Sequence, residues 1–416
     1  MQASPSRQRG GVTLGARITT IVVAAFLSVP MAALADENPS DTAERSKLLT
    51  LVARRISDPA VVAGMRASAM AFENRIHDTA EISATYRAVE QFLADDHTVV
   101  DADEKSYIAW QILHQAADPC SINQGHHNTC ALAALESRMF SKYPSIAADV
   151  VTQVASSGSY RDARGNQINI DPGNIHADCE SGRGKIDDRS HASQLFQLSA
   201  ANEYWQTRQT DPRGLRCGKG RIQYIQKNTR TMDDTGERLV IKWDEGVVET
   251  VVEDSGLPMS EPAITLANVQ EISNLMLPGK QDTFVIGGDK FDKSQKYLAV
   301  KTMGDLRNRL SNGRNGASLP IVAAVNPEAG CFKGDLDQSG DRTWSSVPLE
   351  SQRGDQRRTL GGGKSKACWH AVCITDYDAE TDMVSVDNFW GPGADHVGAN
   401  AVKLAQLYDA IQNADN

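Results

Sequence analysis

Apolar residues recur at helical spacing through the first quarter of the chain. Leu48, Leu49, Val52 and Ile56 form one stripe, and Tyr86, Val89, Phe92 and Leu93 form another. Side chains three or four residues apart share one face of an α-helix. Asp101-Ala-Asp-Glu104 then sets acids where a helix dipole favours them, ahead of Tyr107, Trp110 and Leu113. The pattern predicts three or four helices between about residues 42 and 115. Leu132, Leu135 and Met139 continue it after a polar, glycine-containing loop; that helix must stop before Pro144, with another from about 145 to 156. Residues 157–188 are dense in Gly, Asp, Asn and Ser and read as a long irregular excursion. Helical spacing returns over 191–205, 268–277 and 303–310, while 207–236 is polar and basic. Alternation of β-branched residues over 238–252 reads as a hairpin, and 320–325, 371–376 and 383–387 read as strands before a last helix at about 404–412. Helices first and strands later indicate an α+β architecture.

The opening residues have a different character. Arg7, Arg9 and Arg17 precede the apolar run Ile18 to Val29, and Ala33-Leu34-Ala35 supplies a small-x-small cleavage site. Residues 1–35 therefore read as a signal peptide, and the mature protein as secreted or periplasmic. No other run approaches the ~20 apolar residues of a membrane span, so no membrane association is expected after cleavage. Cleavage removes three arginines and no acid, taking the formal charge from −10 to −13. Such a surface repels phosphates and argues against nucleic acid and anionic membranes. Composition bears on solubility and leaves the oligomeric state open.

Seven cysteines, Cys120, Cys130, Cys179, Cys217, Cys331, Cys368 and Cys373, follow the signal segment. An odd count in an exported protein suggests one thiol kept free, with up to three disulfides among the other six in unspecified pairing. No Cys-x-x-Cys is present and the histidines are scattered, so neither a metal nor a cofactor is implied. His126-His127 reads as a polar lip of a cleft, although either ring could serve as a base. Asp335 to Asp341 resembles half of a calcium loop, but its twelfth position is Ser346 instead of a bidentate Glu, which favours a solvated acidic turn. Gly361-Gly-Gly-Lys-Ser365 lacks the earlier glycine of a phosphate loop and reads as a flexible loop.

Three stretches carry candidate chemistry. Cys130 follows Thr129, a reasonable N-cap, so its sulfur should sit in the first turn of a helix, where the dipole and unpaired N–H groups favour a thiolate. Gln124, six residues earlier, offers an amide to an oxyanion forming beside that sulfur. His370 enters a β-branched run, and Asn388 closes the next strand; the polar turn of residues 378–382 lets the two strands pair. A nucleophile, a base and an orienting amide are the parts of cysteine-based acyl transfer.

These features resemble the papain-like cysteine peptidases: Gln124 six residues before Cys130, a helix starting at that Cys, His370-Ala-Val on a strand, and Asn388-x-Trp390-Gly391, in the family's order. The resemblance implies a papain-like α+β fold, helical in its first half and strand-rich in its second, that hydrolyses amide bonds of a peptide or protein substrate. Cys130 would be the nucleophile, paired as thiolate with the His370 imidazolium. Asn388 would orient the ring, Gln124 would share the oxyanion hole with the Cys130 N–H, and Trp390 would shield the His–Asn bond. Residues 116–416 would form the catalytic domain. Residues 36–115 would be an accessory layer, part of its wall or an inhibitory pro-region. Two departures stand out. Ala131 replaces the usual Trp after the nucleophile, and 240 positions separate Cys130 from His370 where ~130–150 are usual. That excess predicts an insertion at about residues 157–260. Two other readings remain open: a transglutaminase-like or amidase-like acyl transferase, for which Asp387 could replace Asn388, and a catalytically silent papain-fold binding protein. Strand alternation puts Asp387 and Asn388 on opposite faces, and Trp390-Gly391 favours Asn388.

Overall fold

A computed structural model describes residues 39–125, 127–178, 181, 189–208, 220–226, 237–242, 248–250, 264–279, 281–289, 297–314, 319–326, 329, 331, 369–389 and 401–414. The segment read as a signal peptide, His126, Cys179, Cys217, Cys368, Trp390-Gly391, and the stretches 335–346 and 361–365 read as an acidic turn and a glycine loop, lie outside these residues.

Four helices open the described chain: α1 Pro39–Arg55, α2 Pro59–Arg75, α3 Thr79–Ala94 and α4 Ala102–Ala117. The starts of α2, α3 and α4 follow from side-chain caps. The Asp58 carboxylate accepts the Ala60 N–H, Asp78 accepts those of Ala80 and Glu81, and Asp101 and Glu104 form a reciprocal capping box. Leu48, Val52 and Ile56 of the first stripe are buried, as are Tyr86, Val89, Phe92 and Leu93 of the second. Gly64 of α2 lies against the indole of Trp110 on α4, where a Cβ would come within 2.5 Å of the ring.

The chain continues through α5 Cys130–Lys142, α6 Pro144–Ser157 and α7 His191–Gln206. α3 packs on α6 and α4 on α7, and all seven helices contribute to one apolar core. Excising residues 39–117 would therefore expose the faces of α6 and α7 that they cover. The 157–188 stretch is less irregular than its composition predicts: β1 Ser159–Arg161 and β2 Gln167–Asn169 pair as a hairpin after Gly158, whose φ of +74° ends α6. β3 Arg221–Gln226, β4 Glu237–Lys242 and β5 Val248–Thr250 form an antiparallel sheet. The hairpin expected over 238–252 is its second half, and β3 lies within the polar, basic stretch 207–236, where the pattern predicts no strand.

The second half supplies α8 Leu266–Met276, β6 Val285–Gly288, β7 Leu298–Val300, α9 Met303–Arg314, β8 Ile321–Val325, β9 His370–Asp378, β10 Met383–Asp387, β11 Ala401–Lys403 and α10 Leu404–Gln412. Six strands form one mixed sheet in the order β11-β10-β9-β8-β6-β7; β6 pairs in parallel with β7 and β8, and the other pairs are antiparallel. Strand alternation divides two cores. Val322, Ala324, Ala371 and Cys373 face the core shared with α5 and α8, whereas Ala323, Val325, Val372 and Ile374 face Leu306, Leu310, Leu407 and Ile411 of α9 and α10. With both faces covered, Ile321–Val325 is buried throughout. The architecture is mixed α+β, with a mixed sheet in the C-terminal half.

Candidate functional site

The loop from Ile122 to Thr129 delivers Cys130 to the start of α5. Gly125 adopts a φ of +63°, which a glycine takes without steric cost. The loop is tied at both ends. The Gln124 N–H donates to the Phe389 carbonyl at 3.1 Å, and the Gln124 side-chain Nε2 donates to the His127 carbonyl at 3.0 Å. An amide nitrogen carries two hydrogens, so one remains for another acceptor. The Asn128 N–H donates to Glu237 Oε1 at 2.8 Å, and His127 Nε2 lies 3.5 Å from Asp178 Oδ2. Thr129 does not cap α5 with its side chain; its hydroxyl donates to Gln197 Oε1 at 2.8 Å. Gln197 Nε2 in turn donates to the Asn123 carbonyl and to Glu136 Oε2 of α5. Thr129 still contributes its carbonyl, which accepts from Leu132 and Ala133. Cys130 is thus the first residue of the helix, with 8% of its surface exposed.

His370 opens β9 and Asn388 follows the last residue of β10, and the two side chains meet. His370 Nε2 and Asn388 Oδ1 are 2.9 Å apart. An amide oxygen only accepts, so this bond puts the proton on Nε2 and leaves Nδ1 as the basic nitrogen. Burial pushes the His370 imidazole down to about 3, against a smaller upward pull from Asn388. The ring on its own is therefore neutral at ordinary pH; the imidazolium expected from the sequence would need a thiolate beside it to offset desolvation. Asp387 turns to the other side of its strand, where Ser137 of α5 donates to Oδ2 at 3.0 Å. Burial raises its carboxyl to about 8, so Asp387 is protonated at neutral pH and is not the partner of His370.

His370 and Asn388 are thus in direct contact. Gln124 is bonded to Phe389, the residue after Asn388, and the helix that Cys130 opens packs on the strand that His370 opens. The described cysteines are Cys120, Cys130, Cys331 and Cys373, and no disulfide joins them to one another. Burial raises Cys331 to about 11 and drives Cys373 higher still, as befits structural thiols. Among the described residues no group of three His, Cys, Asp or Glu side chains is placed to hold a metal ion. Two clefts of about 390 and 450 Å³ lie elsewhere, one beside Arg221 and Lys242 and the other beside Arg75 and Cys120. At the candidate site His370 exposes 4% of its surface and Asn388 1%.

Several residues around the loop escape sequence reading. Asp178, Gln197 and Glu237 look like surface polar groups in sequence, yet Gln197 is fully buried and Glu237 is 1% exposed. Arg189, also fully buried, donates to Gln226 Oε1 at 2.9 Å and lies 3.7 Å from Asp178. Burial alone would raise the Asp178 carboxyl, but His127, Arg189 and Ser181 hold it well below the usual carboxylate range. The available signal was α7 itself, which carries Gln194 and Gln197 among Leu195, Phe196 and Leu198 and so has no purely apolar face. Compared with protein-family models, curated proteins and solved structures, the chain shows no match.

Proposed function

We propose that the protein is an exported papain-like cysteine hydrolase that cleaves amide bonds through a thioester on Cys130. The observation that carries this reading is the His370 Nε2 to Asn388 Oδ1 bond of 2.9 Å, made between strands brought together by the 378–382 turn. It fixes the ring and leaves Nδ1 to take a proton. In the proposed reaction, His370 Nδ1 accepts the thiol proton as Cys130 Sγ attacks the carbonyl carbon. The carbonyl oxygen becomes an oxyanion, to which the second N–H of Gln124 and the Cys130 backbone N–H donate. His370 then protonates the leaving amine as the C–N bond breaks. Water, deprotonated by the same imidazole, attacks the thioester and restores the thiol with release of the carboxylic acid. The first turn of α5 contributes its dipole to the thiolate. The choice of Asn388 over Asp387 is supported by the turn of Asp387 toward Ser137, and this favours the papain-like arrangement over a His–Asp acyl transferase.

Because Cys130 and His370 are largely buried, a small reagent is the appropriate test. Iodoacetamide should alkylate Cys130 faster than Cys120, Cys331 or Cys373, by at least about tenfold, as expected of an activated thiolate. Mass mapping identifies the modified residue, and His370→Ala should remove the advantage. Equal rates at all four thiols, or an unchanged rate in His370→Ala, would sink the reading.

A further inference from the structure

The stretch between α6 and α8, the excess over papain-like spacing, bears directly on Cys130. Three consecutive residues before the nucleophile are each held by a different part of it. The His127 ring meets Asp178, which follows the 3-10 turn Pro172–Asn174. The Asn128 N–H meets Glu237 at the start of β4. The Thr129 hydroxyl meets Gln197 on α7. These holders are themselves fastened together. β4 pairs with β3 in the register Glu237 with Gln226, β3 packs on α7, and Gln226 receives the Arg189 guanidinium that also faces Asp178.

The arrangement has a physical consequence. A loop of polar residues beside a glycine has many conformations, and the direction of the first helical N–H groups depends on which one it takes. Buried acceptors that each meet a different group of the loop select a single conformation, because leaving either side unmade carries the desolvation penalty of a buried polar group. Asn128 and Thr129 are the two residues that lead into Cys130, so their fixation sets where Sγ and the Cys130 N–H point. We propose that Glu237, Asp178 and Gln197 are positioning residues for Cys130, and that the stretch carrying them is the scaffold of the nucleophile loop. This rests on Cys130 being the nucleophile.

The test compares Glu237→Gln, which keeps an acceptor for the Asn128 N–H, with Glu237→Met, which fills similar volume without one. Two readouts are taken on the full chain: the rate of iodoacetamide alkylation at Cys130, and hydrogen exchange of the amides of residues 127–129. Glu237→Met should slow alkylation by at least about tenfold, the scale of a misplaced reacting group, and speed exchange at Asn128. Glu237→Gln should stay within about twofold of the parent in both. Parent-like behaviour in both variants, or equal loss in both, overturns the inference. If Glu237→Met does not fold, Asp178→Ala against Asp178→Asn makes the same comparison through His127. A parent protein whose Cys130 reacts no faster than its other thiols defeats the nucleophile reading instead. Amide exchange is independent of that chemistry and separates the two failures.

Discussion

Adjacent residues 387 and 388 have opposite fates because a strand sends successive side chains to opposite faces. Asp387 goes to Ser137 on α5, while Asn388 goes to His370. Replacing them should therefore have unequal effects on Cys130 reactivity. Asp387→Asn conserves shape and replaces an acid already neutral at pH 7, so alkylation of Cys130 should change less than about twofold. Asn388→Ala removes the acceptor that fixes the His370 tautomer and should slow the same reaction by roughly ten- to a hundredfold, a loss comparable with that of other supporting residues around a reacting group. Loss in the first variant with none in the second would reverse the assignment. That the two residues part ways is legible from alternation, whereas the preference for Asn388 rests on the Trp390-Gly391 that follows it in sequence. The neighbouring Glu136-Ser137-Arg138 is not legible in that way. A polar triplet in a helix usually marks a solvated face, yet all three are buried. Glu136 accepts from Gln197, Ser137 donates to Asp387, and Arg138 donates to the Pro320 carbonyl and lies over the Phe284 ring. Their partners are 61 to 250 positions away, beyond any local pattern.

The helices were the most legible elements, because their apolar stripes and aspartate caps are both local. Their packing adds a constraint that the stripes do not carry. Gly64 admits the Trp110 indole, and a methyl group there would overlap ring atoms. Gly64→Ala should destabilise the protein by about 1–3 kcal/mol despite a better helix propensity, since overpacking outweighs the backbone gain. Urea titration would detect it, and an unchanged midpoint would mean that the indole moves aside. Short strands were less legible. β6 and β7 are four and three residues long, with two glycines in the first, and neither has room for a period. They were recognisable only once β8 lay beside β6 to accept the pairing.

At the scale of the whole molecule, buried titratable groups set the pH response. Burial raises Glu136 to about 7 and Glu203 and Asp387 to about 8, whereas unfolded carboxyls titrate near ~4. The folded state then holds more protons than the unfolded one, so this stabilisation is complete below ~4 and is lost as pH rises through the folded values. His370 works in the opposite sense. Its folded value of about 3 lies below its unfolded ~6.5, so its contribution is present above ~6.5 and is lost as pH falls. Between pH ~6.5 and ~8 the carboxyls dominate, and each can contribute on the order of 1 kcal/mol per pH unit. The melting temperature should fall over that window. Glu203→Gln, which keeps an acceptor for the Tyr160 hydroxyl, should flatten the slope. A melting temperature that rises there would contradict the protonated state of these acids.

Apolar period, aspartate caps and the order Gln, Cys, His, Asn were written in the chain, because each depends on neighbours within a few residues or on residue type alone. Tertiary structure decided which polar residues go inside and whom they meet. It turned Thr129 from a helix cap into a partner of Gln197, and it tied the loop before Cys130 to the chain between α6 and α8. A buried hydrogen bond is specified by two groups at once, and one sequence position holds only half of it.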